Sequence, residues 1–475
     1  MRRPIAIALC CGLVLAFSAG CPSSPGHGGG HHGNAYRYVP AMPTATDVAV
    51  VDPYDGSIDL IDPVSYRRAN VATTRDVIDA AVIDAGTALA VLDGKRDEAR
   101  IVDVASRAVI QVIPVGSAIN RLIASPFGPQ ALAIYDPAAG EADFGDGGVV
   151  DYYAVNVLTP QSGAALSVSI DFTPDNIVFS PDGRTALLGK EYRLLSLDLS
   201  TGETVAYPLS LGPEDPRVPR EIVISPDGEL AMVLVEGLPD VYVLDLVARA
   251  INILDLSDDA SHVAFVPDSR LALLPLPGMS RVALVDLDAA IPEEIDLGTV
   301  AYEARIGPDG ARALFYSENG SSVAVLTLAD RKVETFPLSV RVSREVPEPV
   351  SFTPDGAKVL VFGEPGTGTH GRYDVNVIDL ADRVVVPIGF EDRISRYAYG
   401  EHSVGVLMPL LPKLVRLELP DLQATAWDVP DMAMRMHYLS GAKAFLLDHQ
   451  DKAGRLTFLP EDGDATRGVK GFLHR

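Results

Sequence analysis

The chain has 475 residues, of which 47% are hydrophobic and 22% charged, the balance of a globular protein rather than a disordered one. Its formal net charge is −25, and without Arg2 and Arg3 of the leader described next, 37 basic residues face 64 acidic ones, giving −27. Neutralising phosphates needs the opposite sign, so nucleic acid and anionic lipid surfaces are poor direct partners, while cationic ligands, metals and basic protein patches fit better.

Met1-Arg2-Arg3 is followed by an apolar run from Pro4 to Phe17 and then by Ser18-Ala19-Gly20-Cys21. A charged start, a short apolar run and a small-residue cleavage site make a secretory leader, here residues 1–20, too short to span a bilayer as a mature helix. Leu15-Ala16-Phe17-Ser18-Ala19-Gly20-Cys21 resembles a bacterial lipobox, with Ser18 where the commonest form has Leu. The resemblance implies lipidation of Cys21, residence in the bacterial cell envelope and membrane attachment through the N-terminal lipid only. Pro22-Ser23 is not the Asp signal of inner-membrane retention and is not decisive otherwise; the outer membrane is the expected address and the inner membrane the alternative. An ordinary secretory leader cut nearby is the alternative. Cys10, Cys11 and Cys21 are the only cysteines, so the exported part carries no disulfide and no thiol chemistry.

Residues 21–43 are rich in Gly, Pro and Ser without apolar periodicity and read as a flexible tether. His27, His31 and His32 within it are either solvated linker residues or ligands for Zn, Cu or Ni.

Residues 44–475 read as all-β. Short Val-, Ile- and Leu-rich runs alternate with turn signals, and no sustained 3.6-residue apolar stripe appears. One phrase recurs as IASPFG at 123–128, VFSPDG at 178–183, VISPDG at 223–228, AFVPDS at 264–269, RIGPDG at 305–310 and SFTPDG at 351–356. Proline presets φ, aspartate bonds its own backbone and glycine accepts positive φ, so each copy is a hairpin turn. An apolar strand follows each copy, then a strand ending in Asp-Leu, such as Val241–Leu246, then a weaker fourth strand. Four antiparallel strands at this period are the signature of a propeller blade.

Ala99–Gly116, ending in Val-Ile-Pro-Val-Gly, resembles a YVTN-type repeat, and the SPDG turns are shared with WD-like repeats. The resemblance implies a single β-propeller of seven or more blades. Nine units begin near residues 78, 121, 176, 221, 262, 303, 350, 396 and 435, preceded by a three-strand piece at 47–74. A ring closed by strands contributed from both ends is expected, because it would remove both sheet edges.

Three features could carry function. The insertion Asp136–Asp151 contains a segment that resembles the calcium loop of integrin-type propellers, with Asp143, Asp146 and Asp151 as oxygen ligands, although Gly145 stands where a ligand is expected. A passive acidic loop is the alternative. A second insertion, Gly363–Tyr373, suits recognition on a rigid scaffold, or is passive. Counting five residues back from the turn prolines gives Arg121, Asn176, Glu221, His262 and Glu303, a ring of polar side chains at one channel mouth, the series breaking at Pro349. His262, His402, His437 and His449 show no spacing that singles out a nucleophile or base, so no catalytic residue is assigned. The leading expectation is a scaffold for envelope proteins or ligands. An enzyme of the lactonase or dehydrogenase type and a calcium-binding surface protein are the alternatives, and no cofactor follows from the sequence other than Ca²⁺ at the acidic loop.

Overall fold

The computed structural model describes residues 39–475 apart from 54, 140–150, 161, 211–216, 290, 365–372, 409, 450–453, 464 and 472–475, all within the unit Arg37–Arg475. Ten antiparallel sheets succeed one another at residues 42–72, 77–114, 121–169, 176–206, 219–255, 264–296, 303–337, 341–390, 396–428 and 435–470, numbered here as blades 1 to 10. Among the described residues the helical pieces are four short 3₁₀ turns, and no helix is long and apolar enough to cross a membrane.

The three-strand piece expected at 47–74 is a full blade. Met42 pairs with Ala49 and Pro43 with Val48, supplying its fourth strand from inside the segment read as tether. Closure also differs from expectation, since among the described residues every sheet is built from one contiguous stretch and no strand is shared between the two ends. Apolar packing joins the ends instead. Ten buried apolar clusters occur, one between each pair of consecutive blades, and the tenth packs Val48, Val50 and Ile61 of blade 1 against Leu446, Leu456 and Phe458 of blade 10. The Ala41 N–H adds a buried bond to Asp448 Oδ2 at 3.0 Å across that seam.

Strand order explains composition. A second strand is sandwiched between neighbouring blades on both faces, so Leu230–Val235 is buried throughout, whereas an outermost strand such as Ala108–Pro114 exposes alternate residues. First strands are half-buried and approach one another around the centre, as Val77–Ile83 approaches Arg121–Ala124.

The SPDG phrases are the predicted hairpin turns between first and second strands. In blade 4 the Gly183 N–H donates to Ser180 O at 2.9 Å, and Asp182 Oδ1 accepts from Ser180 Oγ at 2.5 Å and from the Arg184 N–H at 3.0 Å. Gly183 has φ +69°, a conformation costly for any side chain. The Asp that closes the third strand of blades 2, 4, 5, 6 and 8 has a similar duty: Asp245 Oδ1 accepts from the Val247 and Ala248 N–H groups at 3.0 and 2.6 Å.

All first strands start at the same end of the ring. That end, the loop face, carries the blade-to-blade linkers and the loops joining second to third strands. The opposite turn face carries the SPDG turns and the third-to-fourth turns.

Candidate functional site

Blade 8 departs from the repeat, and the departure shapes the site. Its innermost position is split into Arg341–Val342 and Val350–Phe352, both paired with Lys358–Glu364. Val342 lies opposite Gly363 and Val350 opposite Val361, so residues 343–349 leave the sheet as an excursion, which is where the sequence series broke at Pro349. Glu364 fixes its start by accepting from Ser343 Oγ at 2.5 Å and from the Arg344 N–H at 2.8 Å. Burial opposes the charge of Glu364, but these bonds outweigh it and hold its carboxyl below the usual glutamate range. Gly363 is required here because a Cβ would fall 1.9 Å from Val340 Cγ2.

Against this excursion lies a cavity of about 240 Å³ between blades 7 and 8, walled by Val346, Pro347 and Pro349 and lined by Glu303, Arg305, Tyr316, Glu318, Arg344, Glu345 and Glu348. Arg305 Nη1 stands 3.5 Å from Glu348 Oε1. Burial works against the Arg305 charge, yet Tyr316 and Glu348 favour it and its pKa is raised. Tyr316 is pushed up by burial, and so are Tyr397 and Tyr399 of blade 9, so these phenols stay protonated at neutral pH. The Tyr397 hydroxyl donates to Glu348 O at 2.8 Å, and the Tyr399 and Ser351 hydroxyls share a bond at 2.7 Å.

The structure brings three of the five expected channel residues together. His262 Nδ1 is 2.7 Å from Glu221 Oε1 and 3.9 Å from Glu303 Oε2, linking blades 5, 6 and 7. Glu221 Oε2 also accepts from the buried Val263 N–H at 3.1 Å, so Glu221 orients the imidazole and staples two blades. Arg121 instead pairs with Asp136 of its own blade, and Asn176 lies opposite Gly189 without joining the group. From Glu221 to Tyr399 the inner strands of blades 5 to 9 therefore carry one polar arc.

Arg305, Tyr316, Glu348, Tyr397 and Tyr399 escaped the sequence reading because it counted only the starts of strands preceding SPDG turns. Asp79 escaped it too. Its Oδ2 accepts from the Leu122 N–H at 2.8 Å, the same staple that Glu221 makes, but blade 2 turns through Asp84–Gly86 with no proline to count from. Of the acidic-loop residues, Asp143 and Asp146 lie outside the described residues, as do Cys21 and the tether histidines. Asp151 caps the turn into blade 3's third strand, accepting from the Tyr153 N–H at 2.9 Å and from Ser169 Oγ at 3.1 Å. Among the described residues no three His, Cys, Asp or Glu side chains converge as a metal site. Most of the second insertion, 365–372, also lies outside the described residues. His449 is structural, with Nε2 at 2.8 Å from Thr457 Oγ1 and its pKa lowered by burial.

The two faces are chemically unequal. Among the described residues, the exposed large apolar side chains outside the outermost strands are Tyr152, Tyr153, Val218, Met279, Val300, Tyr302, Leu410, Met432 and Met434 on the loop face, against Val64, Phe127 and Val247 on the turn face.

No protein-family model matches the chain, and no curated protein does. Among solved structures it is similar to a dihydro-heme d1 dehydrogenase, NirN, in complex with DHE, at 13% identity over 81% of this chain and 73% of that one, with a TM-score of 0.45. It is also similar to a eukaryotic initiation factor, at 15% identity over 81% of this chain and 97% of that one, with a TM-score of 0.49. Hydrazine synthase of Kuenenia stuttgartiensis aligns at 17% identity over 66% of this chain and 99% of that one, with a TM-score of 0.31. Likenesses this low carry nothing about activity.

Proposed function

We propose that this chain is a bacterial cell-envelope lipoprotein of the YVTN/WD-like repeat type, whose ten-bladed ring acts as a scaffold binding envelope proteins through its loop face. The observation that carries the reading is a coincidence on that face: the polar arc, the cavity and most of the exposed large apolar side chains emerge together. Exposed apolar groups beside convergent polar ones mark interaction surfaces. The turn face spends its Asp and Ser side chains on its own backbone. The leader with Cys21 supports the anchor, and Pro22-Ser23 lacks the Asp that would retain it at the inner membrane.

The test is in-cell photo-crosslinking from position 302 on the loop face and position 247 on the turn face. A discrete adduct from 302 and none from 247 is expected. No adduct from either position, or the same adducts from both, overturns the reading. The anchor is tested separately by Cys21→Ala, which should move the protein from the membrane fraction to the soluble periplasm. Unchanged membrane fractionation refutes lipidation at Cys21.

A further inference from the structure

We infer that the sector of the loop face over blades 6 to 8 takes an extended basic segment of a protein partner, with one lysine or arginine entering the cavity beside Glu303 and its apolar neighbours lying on Met279, Val300 and Tyr302. The inference rests on the scaffold reading and adds the partner's chemistry.

Size comes first. At about 240 Å³ the cavity is smaller than the roughly 300–1,000 Å³ pockets that enclose a whole small molecule, and it suits one long side chain. Its walls match a lysine or arginine along their length, with Val346, Pro347 and Pro349 for the aliphatic stem and carboxylates for the charged end. Charge comes next. The lining contributes Glu303, Glu318, Glu345 and Glu348 against Arg305 and Arg344, and both arginines already face carboxylates, Arg305 at 3.5 Å from Glu348 and Arg344 at 4.0 Å from Glu318. Glu345 in turn faces Arg393 at 3.1 Å, so the excess of negative charge that a cation meets is centred on Glu303, beside Glu221 and His262, and the −25 of the whole chain steers basic partners toward it while repelling a second copy.

An apolar strip adjoins the cavity and is held rigid. Val300 O accepts from Ser317 Oγ at 2.8 Å, and Ser317 lies between Tyr316 and Glu318 of the lining. The Tyr302 N–H donates to Tyr316 O at 2.9 Å, and Tyr302 O accepts from Ser261 Oγ at 2.8 Å, beside His262. The Tyr302 side chain is nevertheless 54% exposed. An ordered backbone presenting an exposed tyrosine loses little freedom on binding, which is what an anchor residue requires.

The experiment uses the purified full chain and a fluorescent peptide alternating lysine with leucine, with a glutamate–leucine peptide as its counterpart, read by anisotropy. Two variants probe the sector, the double variant Glu318→Gln with Glu345→Gln, and Tyr302→Ala. All three positions are solvent-exposed, so the fold should tolerate the changes. Each variant should weaken the basic peptide about tenfold. The exposed turn-face control Asp288→Asn should leave it unchanged. Raising salt from about 0.1 M to about 1 M, which shortens the screening length from about 10 Å to about 3 Å, should weaken it further. Equal binding of the acidic peptide, wild-type affinity in both sector variants, or self-association of the chain abolished by Tyr302→Ala would each overturn the inference. If crosslinks from position 302 persist while the basic peptide fails to bind, the inference falls and the scaffold reading stands. If the crosslinks are absent, the scaffold reading falls first.

Discussion

Replacing Phe458 by alanine tests whether the ring is closed chiefly by apolar packing. Phe458 is fully buried in the cluster that joins blade 10 to blade 1, edge-on to Tyr66 with ring centroids 5.4 Å apart. Removing a buried phenylalanine costs about 3–5 kcal/mol, of which the aromatic pair accounts for about 0.5–1.5 kcal/mol. Among the described residues, polar ties across the same seam include Asp448 with the Ala41 N–H at 3.0 Å, Arg68 Nη1 with Gly471 O at 3.1 Å, and Arg467 over the Tyr66 ring. Each contributes about 1 kcal/mol or less, so the apolar cluster dominates closure. Phe315, equally buried between blades 6 and 7, is the control, because Phe315→Ala costs a similar amount at equilibrium without touching the seam. Denaturant unfolding should give similar losses for both variants, and hydrogen exchange should separate them. In Phe458→Ala the amides of Val48–Asp52 and Ala444–Asp448 should lose protection together, while in Phe315→Ala the loss should stay near blades 6 and 7. Unchanged protection of blade 1 in Phe458→Ala would refute closure by this cluster.

Glu461 ties blade 10 to blade 9, its carboxylate accepting from the Glu401, His402 and Ser403 N–H groups at 3.1, 2.9 and 3.0 Å and from Ser403 Oγ at 2.8 Å. Burial favours its neutral form, but these bonds and the Tyr438 hydroxyl outweigh it and hold the carboxyl below the usual glutamate range. A carboxyl depressed in the folded state adds stability above its unfolded pKa and loses it as pH falls through the folded one. The advantage of the wild type over Glu461→Gln, about 2–3 kcal/mol at neutral pH, should therefore shrink below about pH 4 in urea titrations, and a constant gap down to about pH 2 would refute the assignment. For the acidic loop, calorimetry with Ca²⁺ decides between its two readings: heat in the wild type and none in Asp146→Ala marks calcium binding, and no heat in either leaves a passive loop.

The blades were legible because the repeat is written in backbone chemistry. Pro181, Asp182 and Gly183 each answer a local demand of one turn, so the phrase marks a hairpin wherever it occurs. Blade 1 was incomplete in the sequence because its fourth strand is only Met42–Pro43, too short for any periodic pattern. Closure was illegible for another reason: that Val50 packs near Phe458 depends on the number of blades, which no local pattern counts. The site divides the same way. Glu221, His262 and Glu303 share a register position and were found by counting, while Glu348, Tyr397 and Arg305 join them only because blade 8 opens at 343–349 and places neighbouring strands around a cavity.

The inequality of the two faces follows from that same backbone chemistry. On the turn face, each Asp–Gly or Ser–Pro–Asp–Gly element must satisfy its own hairpin, and successive turns also press on one another, a Cβ on Gly183 meeting Gly128 Cα at 3.1 Å and one on Gly356 meeting Pro308 Cγ at 3.3 Å. Side chains there are committed to folding. The linkers and second-to-third loops of the opposite face carry no such repeated duty, and they vary far more in length, from the two residues between Lys190 and Arg193 to the nineteen between Ile134 and Ala154, against three to seven in the turn-face connections. A blade can gain a loop, an exposed tyrosine or a carboxylate on that face without disturbing its hairpins. Blade 8 goes further and interrupts its inner strand, retaining Val350 and Phe352 in the sheet while residues 343–349 build a wall. Specific chemistry in this ring is thus free to accumulate at one end, where the polar arc and the exposed apolar side chains both lie.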